Sequence, residues 1–210
     1  MTTEIKPRWT RRKDSRPQEL LSAALDLFVE HGYAATKLSE VAQVAGVSKG
    51  TLYLYFENKE ELFKAVVRET IVPNIAEAEQ LIVEFEGPTR ELFKRLIRTW
   101  FENINTNKLS GIAKLMFAES SNFPELAEFY RVEVIDRNEL MLIQLLNRGM
   151  LSGEFKQLDL AVVPKIITAP IIMMMLWNTS FKSCAIEPIL TENYIESYVD
   201  IMLAGLLKSN

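Results

Sequence analysis

The sequence predicts an all-α chain. Apolar residues recur at three- and four-residue spacing in almost every segment, and alternation of period two is scarce. The breaks between segments carry helix-capping and helix-ending residues. Hydrophobic residues make up 48% of the 210 and charged residues 25%, enough to bury a sizeable core and to exclude wholesale disorder.

The elements follow in order. A first helix spans about Arg16 to Glu30, with Leu20, Leu21, Ala24, Leu25, Leu27 and Phe28 on one face. Ser15 and Gln18 have capping-box spacing, and Gly32 can close the helix in a left-handed turn. A short helix over about Lys37 to Val44 turns Leu38, Val41 and Ala42 inward. After a turn at Gly46, Ser48 can cap a second short helix, Lys49 to Tyr55. Asn58 and Glu61 open a longer helix marked by Leu62, Phe63, Val66, Val67 and Ile71, which Pro73 should kink or end.

Beyond the Gly87-Pro88 turn, Leu92, Phe93, Leu96, Ile97, Trp100, Phe101 and Ile104 form one apolar stripe. A shorter helix runs over about Lys108 to Ser120, and a long one from Pro124 to about Leu151. The stretch Ile166 to Trp177 is apolar but shorter than the roughly 20 residues that span a bilayer, so it reads as a buried helix kinked at Pro170. Thr191 to about Leu207 is the last helix.

Composition excludes several classes. One cysteine, Cys184, allows no internal disulfide, and with one histidine, His31, it cannot assemble a zinc site. Both suit a reducing cytoplasm. No apolar leader opens the chain and no phosphate-cradling glycine loop is present. No nucleophile–base pairing stands out, so the expectation is a non-enzyme without metal, cofactor or membrane. Net charge is −4, but its distribution is uneven. Lys6, Arg8, Arg11, Arg12, Lys13 and Arg16 face only Glu4 and Asp14 at the N-terminus, whereas residues 61–210 carry 15 basic and 20 acidic side chains. Two readings of this basic arm stand: a segment reaching along nucleic acid, or a solvated tail.

Function is most legible at residues 36–59, TKLSEVAQVAGVSKGTLYLYFENK. Two short helices around a glycine-containing turn make a helix-turn-helix. Ala42 permits close crossing, Gly46 tolerates positive φ, Val47 plugs the angle and Leu52 points inward. Ser48 caps a helix whose amide-rich N-terminus favours phosphate. Lys49, Gly50, Thr51, Tyr53 and Tyr55 are left facing outward from a rod thin enough for the major groove.

The residues from Leu20 to Phe63 resemble the tetracycline-repressor (TetR) family of transcriptional regulators. The likeness rests on ALDLFVEHGY, Thr36 and EVAQVAGVSKGTLYLYFENKEELF, in the family's order and spacing. It implies a basic arm over 1–15, a three-helix DNA-binding domain over 16–63, and a larger helical effector-binding and dimerisation domain over 64–210. It further implies a homodimer on a palindromic double-stranded operator, usually repressing, and released by a small molecule. Thr36 would then touch phosphate from the start of the second helix. Lys49, Gly50 and Thr51 would lie nearest the bases, Tyr53 and Tyr55 on the backbone, and Lys59 on a phosphate. Lys37 stands where Thr or Ser is frequent, and Tyr55 where His is also common. The competing readings are core packing for Tyr53 and a plain surface lysine for Lys59. The resemblance places the dimer contact on the last two helices, about Asp159–Lys182 and Thr191–Leu207.

In the larger part, Trp100, Phe101, Met116, Phe117, Met141, Met174 and Trp177 are candidate walls for a small apolar effector, though helical spacing of this kind also describes plain core. Arg98, Arg131, Arg137 and Asn178 are candidate polar anchors, for which a plain surface reading is the stronger one. The alternative function is an all-helical protein-interaction adaptor with a repurposed helix-turn-helix.

Overall fold

A computed structural model describes residues 16–106, 109–181, 184 and 192–208. The fold is all-α as expected: the described residues hold no strand, and extended pairing is limited to an isolated antiparallel bridge between Phe155 and Leu207. No helix among them is long and apolar enough to cross a membrane. The basic arm and the Ser15 cap lie outside the described residues.

The chain divides into two compact units, one ending at Glu69 and the other beginning at Thr70. The division falls beyond the boundary expected after Phe63, because the helix that starts at Lys59 runs unbroken to Thr70.

The first unit contains α1 (Arg16–His31), α2 (Leu38–Val44), α3 (Lys49–Tyr55) and α4 (Lys59–Thr70). Its centre is aromatic: Phe28 and Tyr33 stack at 5.6 Å, and the Phe63 ring meets both edge-on at 5.4 and 5.6 Å. Such ring geometry adds to the area these side chains bury. The local punctuation is as the sequence implies. Gly32 (φ 83°) ends α1 and Gly46 (φ 67°) makes the turn between α2 and α3, both in the region that favours glycine. The Asn58 side chain accepts from the Glu61 amide at 2.9 Å, capping α4.

The second unit contains α5 (Val72–Glu84), α6 (Thr89–Thr106), α7 (Leu109–Glu119), α8 (Pro124–Tyr130), α9 (Arg137–Leu151), α10 (Val163–Ser180) and α11 (Glu192–Leu206). Pro73 ends nothing abruptly; it sits in the first turn of α5, where a missing N–H costs no helix bond. The expected long helix from Pro124 to Leu151 forms, but residues Arg131–Asp136 within it are wound as π-helix, joining α8 to α9. Pro170 lies inside α10, where it removes one backbone bond without ending the helix.

The core of this unit gathers Leu92, Phe93, Phe101, Leu145, Leu146, Phe155 and Tyr198. Phe155 explains a glycine: a Cβ on Gly149 would collide with its ring. Beside it, the Glu154 carboxylate accepts from the Thr89 amide at 2.6 Å and the Arg90 amide at 3.2 Å, capping α6 from a distant part of the chain. Partial burial opposes the charge on Glu154, yet the amide and hydroxyl donors win and hold its carboxyl below the ordinary range.

Candidate nucleic-acid interface and ligand cavity

Leu52, fully buried, anchors the inner side of α3. Ser48 lies in extended backbone just before it, and its hydroxyl accepts from the Thr51 amide at 3.0 Å. The Ser48 and Thr51 hydroxyls also bond each other at 2.8 Å. With its first turn fixed this way, α3 presents Lys49, Gly50, Tyr53 and Tyr55 to solvent and leaves Thr51 half-buried. The Lys49 ammonium lies 5.7 Å from the centre of the Tyr53 ring, and no carboxylate pairs with it among the described residues. Lys37, also exposed, reaches Glu40 only at 4.0 Å, a contact of little energetic weight in water.

Gly50 has no internal reason to be glycine. Its φ is not positive, and an added Cβ would meet only the Ser48 hydroxyl oxygen, at 3.8 Å. Leu54, outside the contact set expected from the sequence, is 83% exposed. It lies one turn beyond Gly50, so an uncovered backbone and an uncovered apolar tip share one side of the helix. An exposed leucine on the outward side of so short a helix was a signal available in the sequence.

Two residues expected at phosphates also bond within the domain. Thr36 is 1% exposed, and its hydroxyl donates to the carbonyls of Gly32 at 2.7 Å and Leu27 at 3.1 Å. The side chain thus stitches the approach to α2 onto the end of α1. Lys59 donates to the carbonyls of Tyr33, Ala34 and Thr36 at 2.7, 3.0 and 3.1 Å, with the Tyr33 ring centre 4.6 Å away. An ammonium has three protons, and these three carbonyls occupy them. Lys59 thereby ties the loop between α1 and α2 to the start of α4. Burial, reinforced by Glu60, pushes the neighbouring Tyr33 phenol up to about 12.

A cavity of about 390 Å³ opens in the second unit, bounded by α5, α6, α7, the π-helical segment, α9 and α10. Of the expected walls, Trp100 and Phe117 line it. Phe101, Met116, Met141 and Met174 instead fill closed core, at 0, 4, 1 and 8% exposure. Trp177 stands off the wall with its ring 5.1 Å from Phe181, and its buried indole N–H has no partner among the described residues. Arg98, Arg131 and Arg137 are held in ion pairs with Glu192, Glu128 and Glu79. The polar groups at the wall were not foreseen: Asn74, Asn103, Tyr130, Asn138 and the Lys165–Glu139 pair, 2.6 Å apart.

Comparison with known proteins agrees with this geometry. Residues 20–66 match the family described as bacterial regulatory proteins, tetR family. Over 145 residues the chain is 30% identical to the uncharacterized HTH-type transcriptional regulator YhgD of Bacillus subtilis (strain 168), covering 69% of this chain and 74% of that one. It is 29% identical over 159 residues to the fatty acid metabolism regulator protein of the same organism, covering 74% and 80%. The structure of the fatty acid degradation regulator FadR from Bacillus halodurans superposes with a TM-score of 0.76 at 26% identity, over 90% of this chain and 95% of that one.

Proposed function

Because the chain belongs to the TetR family of bacterial regulatory proteins, we propose that it is a repressor that grips a palindromic operator as a homodimer and lets go when a small molecule fills its cavity. It is a ligand-responsive, DNA-binding transcriptional regulator. The observation that carries the finer reading is the outward face of α3. Lys49, Gly50, Tyr53, Leu54 and Tyr55 are exposed together while Leu52 is fully buried behind them.

On this reading Lys37 meets a phosphate, Lys49 lies beside the base edges, and Tyr53 and Tyr55 bond the backbone and fix register. Gly50 lets the helix backbone approach the base edges. Thr51 and Leu54 reach into the groove, where an apolar tip suits a thymine methyl. Thr36 and Lys59 hold the helices that present this face. One seven-residue helix reads few base pairs, so a second copy is needed for specificity. Ile166 and Met173 on α10 and Ile201 on α11 are 53, 55 and 67% exposed, apolar surface on the two helices expected to meet a partner copy.

Selection from a pool of random duplexes tests the reading. An enriched inverted repeat, bound less tightly as salt rises, is the expected result. Equal retention of all sequences, or none, would return the adaptor alternative to first place.

A further inference from the structure

Among the described residues, the cavity wall offers an anion no unpaired cation. Asn74 donates its amide N–H to the Thr70 carbonyl at 2.7 Å, and Asn138 donates to the Val134 carbonyl at 2.8 Å. A carbonyl can only accept, so each contact fixes the amide orientation and leaves Oδ1 and one N–H unused. Neither oxygen has a partner among the described residues. The Tyr130 hydroxyl, also in the wall, likewise lacks one. Tyr130 is only partly buried by surface area because it borders the cavity, yet it sits deep enough that burial raises its phenol above the ordinary value. All three residues come from elements that pack on one another, α5, the end of α8 with its π-helical continuation, and α9.

The charged groups at the wall are already matched. Lys165 donates to Glu139 at 2.6 Å and to the Ala161 carbonyl at 2.9 Å. A carboxylate entering the cavity would have to break that pair or go without a cation. An ammonium would lose its hydration beside a carboxylate that already has a cation. A hydroxyl or primary amide avoids both costs, since it donates to Asn74 or Asn138 and accepts from Tyr130.

We propose that the cavity takes an uncharged effector: an apolar body carrying a hydroxyl or amide head held by Asn74, Tyr130 and Asn138. This rests on the ligand-released reading above and narrows it to a chemical class. The remaining wall, including Trp100, Ile171 and Met175, supplies the apolar contact.

Three probes of one chain length decide the matter: decan-1-ol, decanoate and decylammonium, titrated into the full-length protein by calorimetry and thermal shift at neutral pH. Decan-1-ol should bind at least about tenfold more tightly than either ion. Tyr130→Phe should weaken decan-1-ol by about three- to tenfold. Should Tyr130→Phe fold poorly, Asn74→Leu makes the same test from another helix. Decanoate binding as tightly as the alcohol, or no binding by any probe, overturns the proposal. So does an alcohol affinity indifferent to both the Tyr130 and the Asn74 change. Retention of the same unliganded sample on the selected duplex is measured alongside. If it persists while the probes fail, the cavity assignment falls and the regulator reading stands; if it is absent, the regulator reading itself falls.

Discussion

The Lys59 ammonium donates to the Tyr33 carbonyl at 2.7 Å and lies 4.6 Å from the centre of the ring of that same residue. It closes the loop between α1 and α2 from the first position of α4. Lys59→Met should leave three carbonyls with poorer partners and lower stability by about 1–2 kcal/mol. Urea denaturation reads this directly. Operator affinity measured well below the midpoint should change less than it does in Tyr53→Ala. A variant of unaltered stability with affinity lost would restore Lys59 to the phosphate contact first expected of it.

Gly50→Ala separates folding from binding. Alanine is the better helix former by up to about 1 kcal/mol, and the only atom its Cβ would meet is 3.8 Å away. The variant should therefore melt at or above the parent temperature. Its affinity for the selected operator should nevertheless fall, because a methyl group would stand between helix and base edges. Undiminished affinity would mean that this glycine answers to nothing outside the chain.

Lys37→Ala should reduce the salt dependence of operator binding by about one counterion per half-site. Tyr53→Ala should weaken binding by about tenfold or more. Titrations at several salt concentrations give both numbers from one set of curves.

Glu154 makes stability depend on pH. Its carboxyl is held low in the folded chain, chiefly by the Thr89 and Arg90 amides working against partial burial. A carboxyl depressed by folding contributes fully above its unfolded pKa and loses that contribution as pH falls through the folded value. Glu154→Gln should flatten the decline in denaturation midpoint between neutral pH and about pH 3. Glu154→Ala should also cost about 1 kcal/mol at neutral pH through the lost cap. An acid profile identical in parent and Gln variant would remove this role.

Gly149→Ala should destabilise the second unit by about 1–3 kcal/mol, because the new methyl collides with the Phe155 ring. Adding Phe155→Leu should recover part of that loss. A double variant no more stable than the sum of the two single effects would show the residues to be uncoupled.

What the sequence disclosed follows from how far each signal travels along the chain. Ser48 with Thr51 and Asn58 with Glu61 are contacts between near neighbours, and Gly32 and Gly46 act through their own backbone; all four were legible. Lys59 reaches back 26 residues to Tyr33 and Thr36 reaches back nine to Leu27, so their inward turn has no local mark. The cavity was half legible for a related reason. Helical spacing tells which side of a helix faces inward, but not whether the opposite helix fills the space it faces. Phe101 and Met141 met tight neighbours, while Trp100, one residue away from Phe101, met a void. Tyr130, Asn74 and Asn138 break apolar stripes and so look like surface until the helices are assembled around them.

The six π-wound residues from Arg131 to Asp136 set the phase of everything they connect. An i to i+5 closure carries more chain per turn than an i to i+4 closure. The segment therefore works like a crankshaft, with α8 and α9 as offset throws on one rod. Deleting a single residue there would wring one throw by about 100° relative to the other. Tyr130 would swing away from the wall it shares with Asn138, although neither residue had been touched. Length, at this spot, is as tightly specified as chemistry.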